Sequence, residues 1–494
     1  MTSSWSLIFD LGLIGIFLLI AVGIRRLFPI LKKFRIPDAI VAGFIGLFVF
    51  RILPIILKTD FQFTRTHGNF TEVIAPFQPN RLLTLVFHLM GIAFIALSLK
   101  DNEGKGRTRS AVSGGFYMAI SYGLQGIVGL GLTLILMKTI FPNIFPSFGF
   151  LLPFGFGQGP SLAGEMGRSW STITNPAGLI GLPNGASVGL SFSTIGFLWA
   201  CLVGVPLMNI LVRRRRRLGE PEPGFGTPPP SKEPARFLVE KEREFAGLAR
   251  SIDKATTQLM LIGGVYLILF FGLEGATVLL KKLGTMGEGM AKLLWGLHFA
   301  FGALLATFVG RFIRKLEAKK ILKGSKSTNN YLLQHIGGTA VDFMIAASIC
   351  AIDVRVLGPY IVPILILTTA GGIATIGYIW FIVRRVWPKS YVEHFVAFFG
   401  THTGTLATGM ALLRGVDPEF RTSTASDLTF GSGIGILFGI PLIMMASFPA
   451  TGYQQGNSTY YWGTFVAMVV YVALLAAIWI GFLKLSKHRE KELS

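Results

Sequence analysis

Two stretches of this sequence place glycine beside hydrogen-bonding side chains, within surroundings that are otherwise strongly apolar. Glycine lets a backbone pass close to a bound molecule, and hydroxyl, amide and imidazole groups supply hydrogen-bond donors and acceptors. The positions of interest in the first stretch are Gly157, Gln158, Gly159 and Ser161. Those in the second stretch are Thr401, His402, Thr403, Gly404, Thr405 and Thr408. These residues predict a binding site for a small solute.

The chemistry of such a site follows from what a broken helix exposes. Free amide N–H groups at a helix N-terminus favour a carboxylate, and free carbonyl groups ligate sodium. Arg168, at the far end of the first stretch, is a candidate partner for a substrate carboxylate, although an arginine there also serves as an interfacial anchor. The competing interpretation is that the small residues only allow close helix packing.

Ionisable residues inside apolar segments are costly and are therefore functional candidates. Asp342 is the strongest, either as a sodium ligand or as the carrier of a coupling proton. Its counterpart in the first half of the chain is His88, because residues 87–90 align with residues 341–344. The further sodium ligands that we expect are Thr403 and Thr408. Glu165, which follows the first glycine-rich stretch, is a comparable candidate, with a position nearer the outer water as the alternative. Weaker candidates, for which a satisfied polar pair is the alternative, are Glu274 and His298.

The composition identifies the membrane as the solvent of these groups. Of the 494 residues, 51% are hydrophobic and only 14% are charged, which is far from the balance of a soluble domain. The net charge of +21 does not indicate nucleic-acid binding, because the basic residues fall between long apolar runs. The sequence has no phosphate-binding loop, zinc helix or nucleophile elbow, so we expect neither an enzyme nor an organic cofactor.

Apolar stretches of about 20 residues have the length that a helix needs to cross a bilayer. Two further stretches, 146–170 and 391–413, are apolar but broken by Gly, Pro, Ser and Thr, and they predict re-entrant hairpins. The fold class that we expect is an all-α polytopic membrane protein in contact with lipid. Its eleven expected spans are 7–24, 36–56, 82–99, 111–137, 187–211, 256–280, 291–309, 332–352, 360–383, 430–446 and 462–483.

The distribution of charge predicts the orientation. If neither broken stretch crosses the membrane, most of the 46 Lys and Arg residues fall on one side, which the positive-inside rule makes cytoplasmic. The N-terminus is then outside and the C-terminus inside, in the inner (plasma) membrane. Residues 213–255 are rich in charge and proline and predict a flexible cytoplasmic linker.

An internal repeat is the best explanation of the two broken stretches. Residues 154–164 align with residues 399–409 without a gap, and four positions are identical. Each half then contains five spans and one hairpin, and an odd number of crossings inverts the second copy. We therefore expect a first repeat over 1–212, the linker over 213–255 and a second repeat over 256–448. Residues 449–494 would add one transmembrane helix and a basic tail.

These motifs resemble those of the bacterial sodium/glutamate symporter family. Residues 36–43, Ile-Pro-Asp-Ala-Ile-Val-Ala-Gly, are similar to that family's Ile/Leu-Pro followed by Val-x-Gly. Residues 157–159 are similar to its Gly-His-Gly-Thr pattern, and 403–405 with Met410 to its second hairpin. The chain departs from the family at four hairpin positions, where the family has His, Thr, Pro and Asn. Those positions are Gln158, Pro160, Gly404 and Gly409.

The resemblance implies a homodimeric, sodium-coupled importer of acidic amino acids that moves its substrate by an elevator-like shift of the hairpin-bearing domain. The first expectation is therefore symport of sodium with glutamate or a related small carboxylated solute. Three alternatives remain open from the residues alone. One is a transporter of another organic solute that is coupled to protons through Asp342 or His402. The others are a channel and, at low weight, a membrane-embedded enzyme that uses the same two residues.

Overall fold

Apolar runs become helices here because a helix satisfies its backbone hydrogen bonds within one segment. The computed structural model describes residues 5–29, 31, 36–59, 63–67, 70–74, 77–100, 108–219, 251–282, 284, 287, 291, 294–319, 321, 328–417 and 422–492. The helices of the first half are α1 (Ser6–Leu27), α2 (Asp38–Leu57), α3 (Pro79–Leu99), α4 (Thr108–Thr139), α5 (Pro160–Trp170) and α6 (Gly185–Arg217).

The second half continues the helical pattern. Its helices are α7 (Ser251–Lys281), α8 (His298–Ala318), α9 (Asn330–Cys350), α10 (Ile361–Val386), α11 (Tyr391–Thr403), α12 (Leu406–Leu413), α13 (Thr424–Met445), α14 (Ser447–Gln455) and α15 (Thr459–Glu492). One wide turn of π-helix interrupts α2 at Phe48–Ile52 and another interrupts α6 at Trp199–Gly204. Short 3-10 segments lie at Pro146–Phe150, Val354–Val356, Gly358–Tyr360 and Pro388–Ser390.

Ten helical runs in the described part of the chain are long and apolar enough to cross a membrane. The sequence predicted eleven spans, and the one at 291–309 is not among these ten. Residues 292–293 of that span lie outside the described residues, and the described helix α8 begins at His298. The protein is a multi-pass helical membrane protein.

The connection between α2 and α3 contains a short β-hairpin, which the sequence analysis did not predict. Strand β1 (Phe63–His67) and strand β2 (Phe70–Ile74) pair in antiparallel orientation, with Phe63 opposite Ile74 and His67 opposite Phe70. The threonine, valine and aromatic residues of these strands favour extended backbone. The hairpin is a local addition to a described chain that is otherwise helical, as the predicted all-α fold class requires.

The described helices form two groups by their contacts. In the first group, α3 packs against α8 and α9, α9 packs against α2, and the outer helices α1 and α7 pack against α2 and α8. In the second group, α4 packs against α10, α13 and α15, α5 packs against α6, and α11 packs against α12. The groups touch where α3 meets α5 and where α6 meets α9. Both broken stretches belong to the second group.

A buried ion pair ties α1 to the start of α3. Asp10 is fully buried and accepts a hydrogen bond of 3.0 Å from a guanidinium nitrogen of Arg81. Its same oxygen accepts the backbone N–H of Phe77 at 2.9 Å. The sequence reading had not singled out Asp10, because a single acid near a helix end gives no sign of its partner.

A second buried ion pair joins α6 to α11. Arg215 donates two hydrogen bonds to the carboxylate of Glu393, at 2.6 and 2.9 Å, and both side chains are almost fully buried. The predicted linker at 213–255 therefore begins too early, because 213–217 forms the last turn of α6. The rest of that prediction falls mainly on residues 220–250, which lie outside the described residues.

We predict that Arg215→Ala destabilises the protein by about 3–5 kcal/mol, because it leaves the Glu393 carboxylate buried without its partner. Thermal unfolding of the detergent-solubilised protein measures the effect. Arg214→Ala is the matched control, since the neighbouring Arg214 side chain is exposed. Equal melting temperatures for the two variants would show that the ion pair does not hold α6 to α11.

Candidate binding site at two helix breaks

The first break lies between a π-helical turn, Pro153–Gln158, and helix α5. Gly159 adopts φ 93° and ψ 179° there, a conformation that residues with a β-carbon rarely take. Pro160 follows, and the ring of a proline disfavours helical backbone in the residue before it. The Gly-Pro pair thus ends one helical segment and starts α5, within the stretch 146–170 that the sequence identified as broken.

The second break lies between α11 and α12. Gly404 leaves the helical region with φ −145° and ψ −107°, and Thr405 then caps α12 by accepting the backbone N–H of Thr408 at 3.4 Å. The two helices pack so closely that a methyl group added to Gly409 would lie 2.0 Å from the hydroxyl oxygen of Thr401. Only glycine at position 409 therefore allows α11 and α12 to pack this closely.

The two breaks meet in the interior. A methyl group added to Gly159 would lie 3.3 Å from the methyl carbon of Thr405 and 3.5 Å from the terminal methyl of Met90 on α3. A methyl group added to Gly196 of α6 would lie 2.4 Å from the carbonyl oxygen of Thr403. The tips of both broken stretches therefore contact one another, and helices α3 and α6 border them.

Two helix N-termini begin at these breaks, those of α5 and α12. Each carries about half a positive elementary charge from the aligned peptide dipoles. The side chains that the structure places against glycines 155, 157, 159 and 404 are uncharged. They are Phe192, Tyr122, Gln125, Thr405, Met90 and Thr408. Peptide dipoles therefore make this region favourable to an anion.

His402 lies in an aromatic pocket just before the second break. Its ring is fully buried, with the ring centres of Tyr117 and Tyr122 at 5.3 and 5.2 Å. Neither ring nitrogen has a hydrogen-bond partner among the described residues. A buried polar group without a partner is costly, so this imidazole is available to a bound molecule.

Gln125 of α4 links the end of α11 to α10 by hydrogen bonds. The sequence analysis did not predict this role. Its amide nitrogen donates to the backbone carbonyl of His402 at 2.9 Å and to the hydroxyl of Thr375 at 3.0 Å. Its side-chain oxygen lies close to Gly157 and has no partner among the described residues. The sequence feature that indicates this role is a single glutamine within a long apolar helix.

The remaining polar side chains of the tips differ in whether their hydrogen-bonding groups are already used within the protein. The hydroxyls of Thr401 and Thr403 donate to carbonyls one turn earlier, at 2.9 and 2.7 Å, so only their oxygen lone pairs are free to bind. The hydroxyl of Ser161 and the amide nitrogen of Gln158 are buried and lack partners in the described part of the chain. Gln158 also lines a cavity of about 10 Å³, which has room for about one water.

Arg168 is not at the break. It forms a 2.9 Å ion pair with Glu165, and its side chain is half exposed. It lies eight residues after the start of α5, which corresponds to about 12 Å along a helix. The guanidinium of Arg168 is thus already paired with a carboxylate of its own helix, and its role as partner of a substrate carboxylate stays a prediction.

The structure places Asp342 apart from the buried threonines with which it was predicted to bind sodium. Asp342 is exposed on α9, within electrostatic range of Asp38 on α2, whereas Thr403 and Thr408 are buried at the second break. Among the described residues, no group of three or more His, Cys, Asp or Glu side chains is placed to hold a metal ion.

The other ionisable candidates lie in the first helix group. His88 is exposed, and its ring contacts the hydroxyl of Tyr266 at 2.7 Å. His298 is buried, stacks on Phe87 and contacts the carbonyl oxygen of Phe87 at 2.9 Å. Glu274 is exposed on α7. None of the three is placed beside the two breaks.

We predict that Gly409→Ala destabilises the second hairpin by about 1–3 kcal/mol, since the added methyl overpacks α11 against α12. Gly263→Ala is the matched control, because nothing lies within 4 Å of a methyl added at that helical glycine. The control should leave the melting temperature unchanged or raise it. A melting temperature for Gly409→Ala equal to that of the control would contradict the close packing.

Comparison with known proteins gives no match. No family model matches the sequence, and no curated protein and no solved structure matches it at a significant level. The function must therefore be inferred from the geometry of the two breaks and from the sequence pattern.

Proposed function

We propose that the protein is a secondary active transporter that imports a small carboxylated solute together with sodium, with glutamate as the first candidate. The observation that carries the proposal is the contact between Gly159 and Thr405, where two broken helices meet tip to tip inside the protein. Irregular backbone at membrane depth is tolerated where it is buried in protein or lines a cavity, and in transporters it forms the substrate site.

The proposed architecture is a pair of inverted repeats. Equivalent contacts in the two halves support it. A methyl added to Gly43 of α2 would strike Ile349 of α9 at 2.7 Å, and one added to Gly302 of α8 would strike Ile95 of α3 at 3.0 Å. The alignment of His88 with Asp342 also places Ile95 opposite Ile349.

The outer helices support the same repeat. The buried face of α1 includes Asp10, Ile14, Phe17 and Ala21, and that of α7 repeats the spacing with Gln258, Ile262, Val265 and Leu269. Asp10 accepts the backbone N–H of Phe77 just before α3, and Gln258 accepts that of Asn329 just before α9, at 3.1 Å. A two-fold relation between the halves makes each of these pairs equivalent.

The uncharged lining explains how a carboxylate would bind. Two helix N-termini together supply about one positive elementary charge, which suits one carboxylate, and the side chains of Ser161 and His402 supply unpaired hydrogen-bonding groups. Hydroxyl and carbonyl oxygens around Thr403 and Thr408 are hard ligands of the kind that sodium accepts. Asp342, with Asp38 in electrostatic range, remains the proposed acidic contributor to cation binding.

The proposed mechanism and assembly follow the resemblance to the sodium/glutamate symporters. The second helix group carries both breaks, and it would move as an elevator against the first group, which would form the dimer. The proposed orientation has the N-terminus outside and the C-terminus in the cytoplasm. The position of Lys100, at the end of α3, supports this orientation. Lys100 is partly buried, and burial, together with the positive charge of the nearby Arg414, lowers the pKa of its ammonium group. The end of the second hairpin is thus close to a basic loop predicted to be cytoplasmic.

Uptake into proteoliposomes tests the proposal. An inward sodium gradient should drive accumulation of labelled glutamate, or of another carboxylate from a panel, above its external concentration. Gly159→Ala should lower the rate roughly tenfold, because about 1–2 kcal/mol of strain accompanies a β-carbon at positive φ. Gly377→Ala is the matched control, since open space surrounds that glycine.

Two outcomes would reject symport. Solute that only equilibrates across the membrane indicates a channel, and no uptake of any tested solute under sodium or proton gradients removes the transporter proposal altogether.

Replacing Asp342 with Asn is expected to raise the sodium concentration that half-saturates uptake, because it removes a negative charge from the proposed cation path. Glu274→Gln serves as the control, since Glu274 is also exposed on a helix of the first group. The measurement is initial uptake rate against sodium concentration at fixed substrate. An unchanged half-saturating concentration in Asp342→Asn would exclude this carboxylate from the cation site.

A further inference from the structure

The base of the second hairpin contains a continuous chain of hydrogen-bonded side chains that the substrate site does not use. The carboxylate of Asp417 contacts the hydroxyl of Thr422 at 2.7 Å, which contacts the hydroxyl of Thr424 at 3.0 Å. Thr424 contacts the Nδ1 atom of His394 at 3.0 Å, and Nε2 of that ring contacts the carboxylate of Asp427 at 3.2 Å. The chain thus links two carboxylates through one imidazole.

Except for the partly exposed Thr422, these groups are shielded from solvent. His394 and Thr424 are fully buried, Asp427 is 1% exposed and Asp417 is 5% exposed. The hydroxyl of Ser423 donates to the same Asp427 oxygen at 2.8 Å. A buried carboxylate beside a buried imidazole is stabilised when the pair shares a proton, since desolvation penalises an isolated charge.

The groups that face His394 come from every element packed against it. In the 3-10 segment just before α11, the carbonyl and hydroxyl oxygens of Ser390 lie 3.0 and 3.1 Å from Nδ1. The indole of Trp387 stacks on the ring, with centres 4.6 Å apart and planes 15° apart, a geometry that favours a cationic ring. The next charged side chain on α11 is Glu393, and it is paired with Arg215.

Hydrogen counting shows that this site accommodates two protonation states. A threonine hydroxyl carries one hydrogen, and a carboxylate only accepts. When Thr422 donates to Asp417, Thr422 accepts from Thr424, Thr424 accepts from Nδ1, and His394 carries a hydrogen on both nitrogens. When Thr422 donates to Thr424, Thr424 donates to Nδ1, and His394 carries a hydrogen on Nε2 alone.

We propose that His394 is a proton-binding site at the base of the second hairpin, fed through Thr424 and Thr422 from Asp417 and held by Asp427. On binding, a proton at Asp417 moves to the oxygen of Thr422, and the original hydroxyl hydrogen of Thr422 moves to Thr424. The original hydrogen of Thr424 then forms the Nδ1–H bond. One proton enters, both hydroxyls are regenerated in reversed orientation, and release is the reverse.

The bound proton strengthens the attachment of α11 to α13. With a hydrogen on Nδ1, that N–H is shared between the hydroxyl of Thr424 on α13 and the carbonyl oxygen of Ser390 just before α11, and Nε2 donates to Asp427 on α13, so both helices contact one cation. Without it, the lone pair of Nδ1 faces the carbonyl oxygen of Ser390, which is repulsive. Binding of the proton therefore makes the attachment of α11 to α13 depend on pH, whether or not a solute is bound.

Nitrogen-15 NMR of the histidine side chains in lipid nanodiscs tests the site without any transport assay. The chain has seven histidines, so His394→Gln assigns the relevant signal by its disappearance. We expect the His394 ring to change from two N–H groups to one as the pH is raised and the proton is released. A ring that keeps one N–H group at every pH at which the protein stays folded overturns the proposal.

The pH dependence of thermal unfolding tests the consequence for the hairpin. The melting temperature of the native protein should fall as the proton is released, and His394→Gln and Asp427→Asn should lose that change. His335→Gln, which alters an exposed histidine on α9, should keep it. If the melting temperature depends on pH in the same way in the native protein and in a folded His394→Gln variant, then His394 does not control the attachment of α11 to α13.

A conservative pair of variants separates the relay from a structural effect of Thr424. Thr424→Val removes the hydroxyl that passes the proton, whereas Thr424→Ser keeps it. We expect slower exchange of the Nδ1 hydrogen with solvent in Thr424→Val, and exchange restored to the native rate in Thr424→Ser. Equal exchange rates in both variants would rule out the proposed path through Thr424. These readouts do not require uptake, so they stand or fall separately from the proposed symport.

Discussion

The cost of an unpaired backbone amide or carbonyl in hydrocarbon, on the order of several kcal/mol, is the constraint on which this arrangement depends. Breaks at Gly159 and Gly404 interrupt helical hydrogen bonding, so they are stable at membrane depth only inside protein. The segments leading to them satisfy this condition: every residue from 153 to 158 and from 392 to 403 is buried. Helices α4, α6 and α10 provide the cover, and α3 touches the first tip through Met90.

Local signals explain what the sequence could predict. A glycine before a proline at 159–160 and a glycine before a capping threonine at 404–405 are local features that interrupt helices, and both breaks lie within the stretches 146–170 and 391–413 that the sequence identified as broken. Apolar length likewise predicted most of the spans. The hydrogen bonds around the breaks were not predictable in this way, because Gln125 and the carbonyl of His402 are 277 residues apart and meet only in the folded chain.

Charged residues were the least predictable part of the site. Arg214 and Arg215 are neighbours in one basic run, yet the first is exposed and the second binds Glu393 in the interior. Successive helical residues point about 100° apart, so a run of like charges does not reveal which member faces the protein. The same uncertainty explains Arg168, whose charge is paired with Glu165 on its own helix. Residue type predicted the chemistry, but not the direction of the side chain.

The two ends of the second hairpin are held by different kinds of interaction. At the tip, Thr405 meets Gly159 through van der Waals contact, and each pair of atoms contributes only about 0.1–0.2 kcal/mol. At the base, a buried ion pair joins Glu393 to Arg215, and a buried hydrogen bond of 3.2 Å joins His394 to Asp427. Loss of one partner of the buried ion pair costs about 3–5 kcal/mol. The tip should therefore separate more readily than the base, which makes the base the pivot of any opening. A proton bound at His394 would act on that pivot, while a solute would act between the tips.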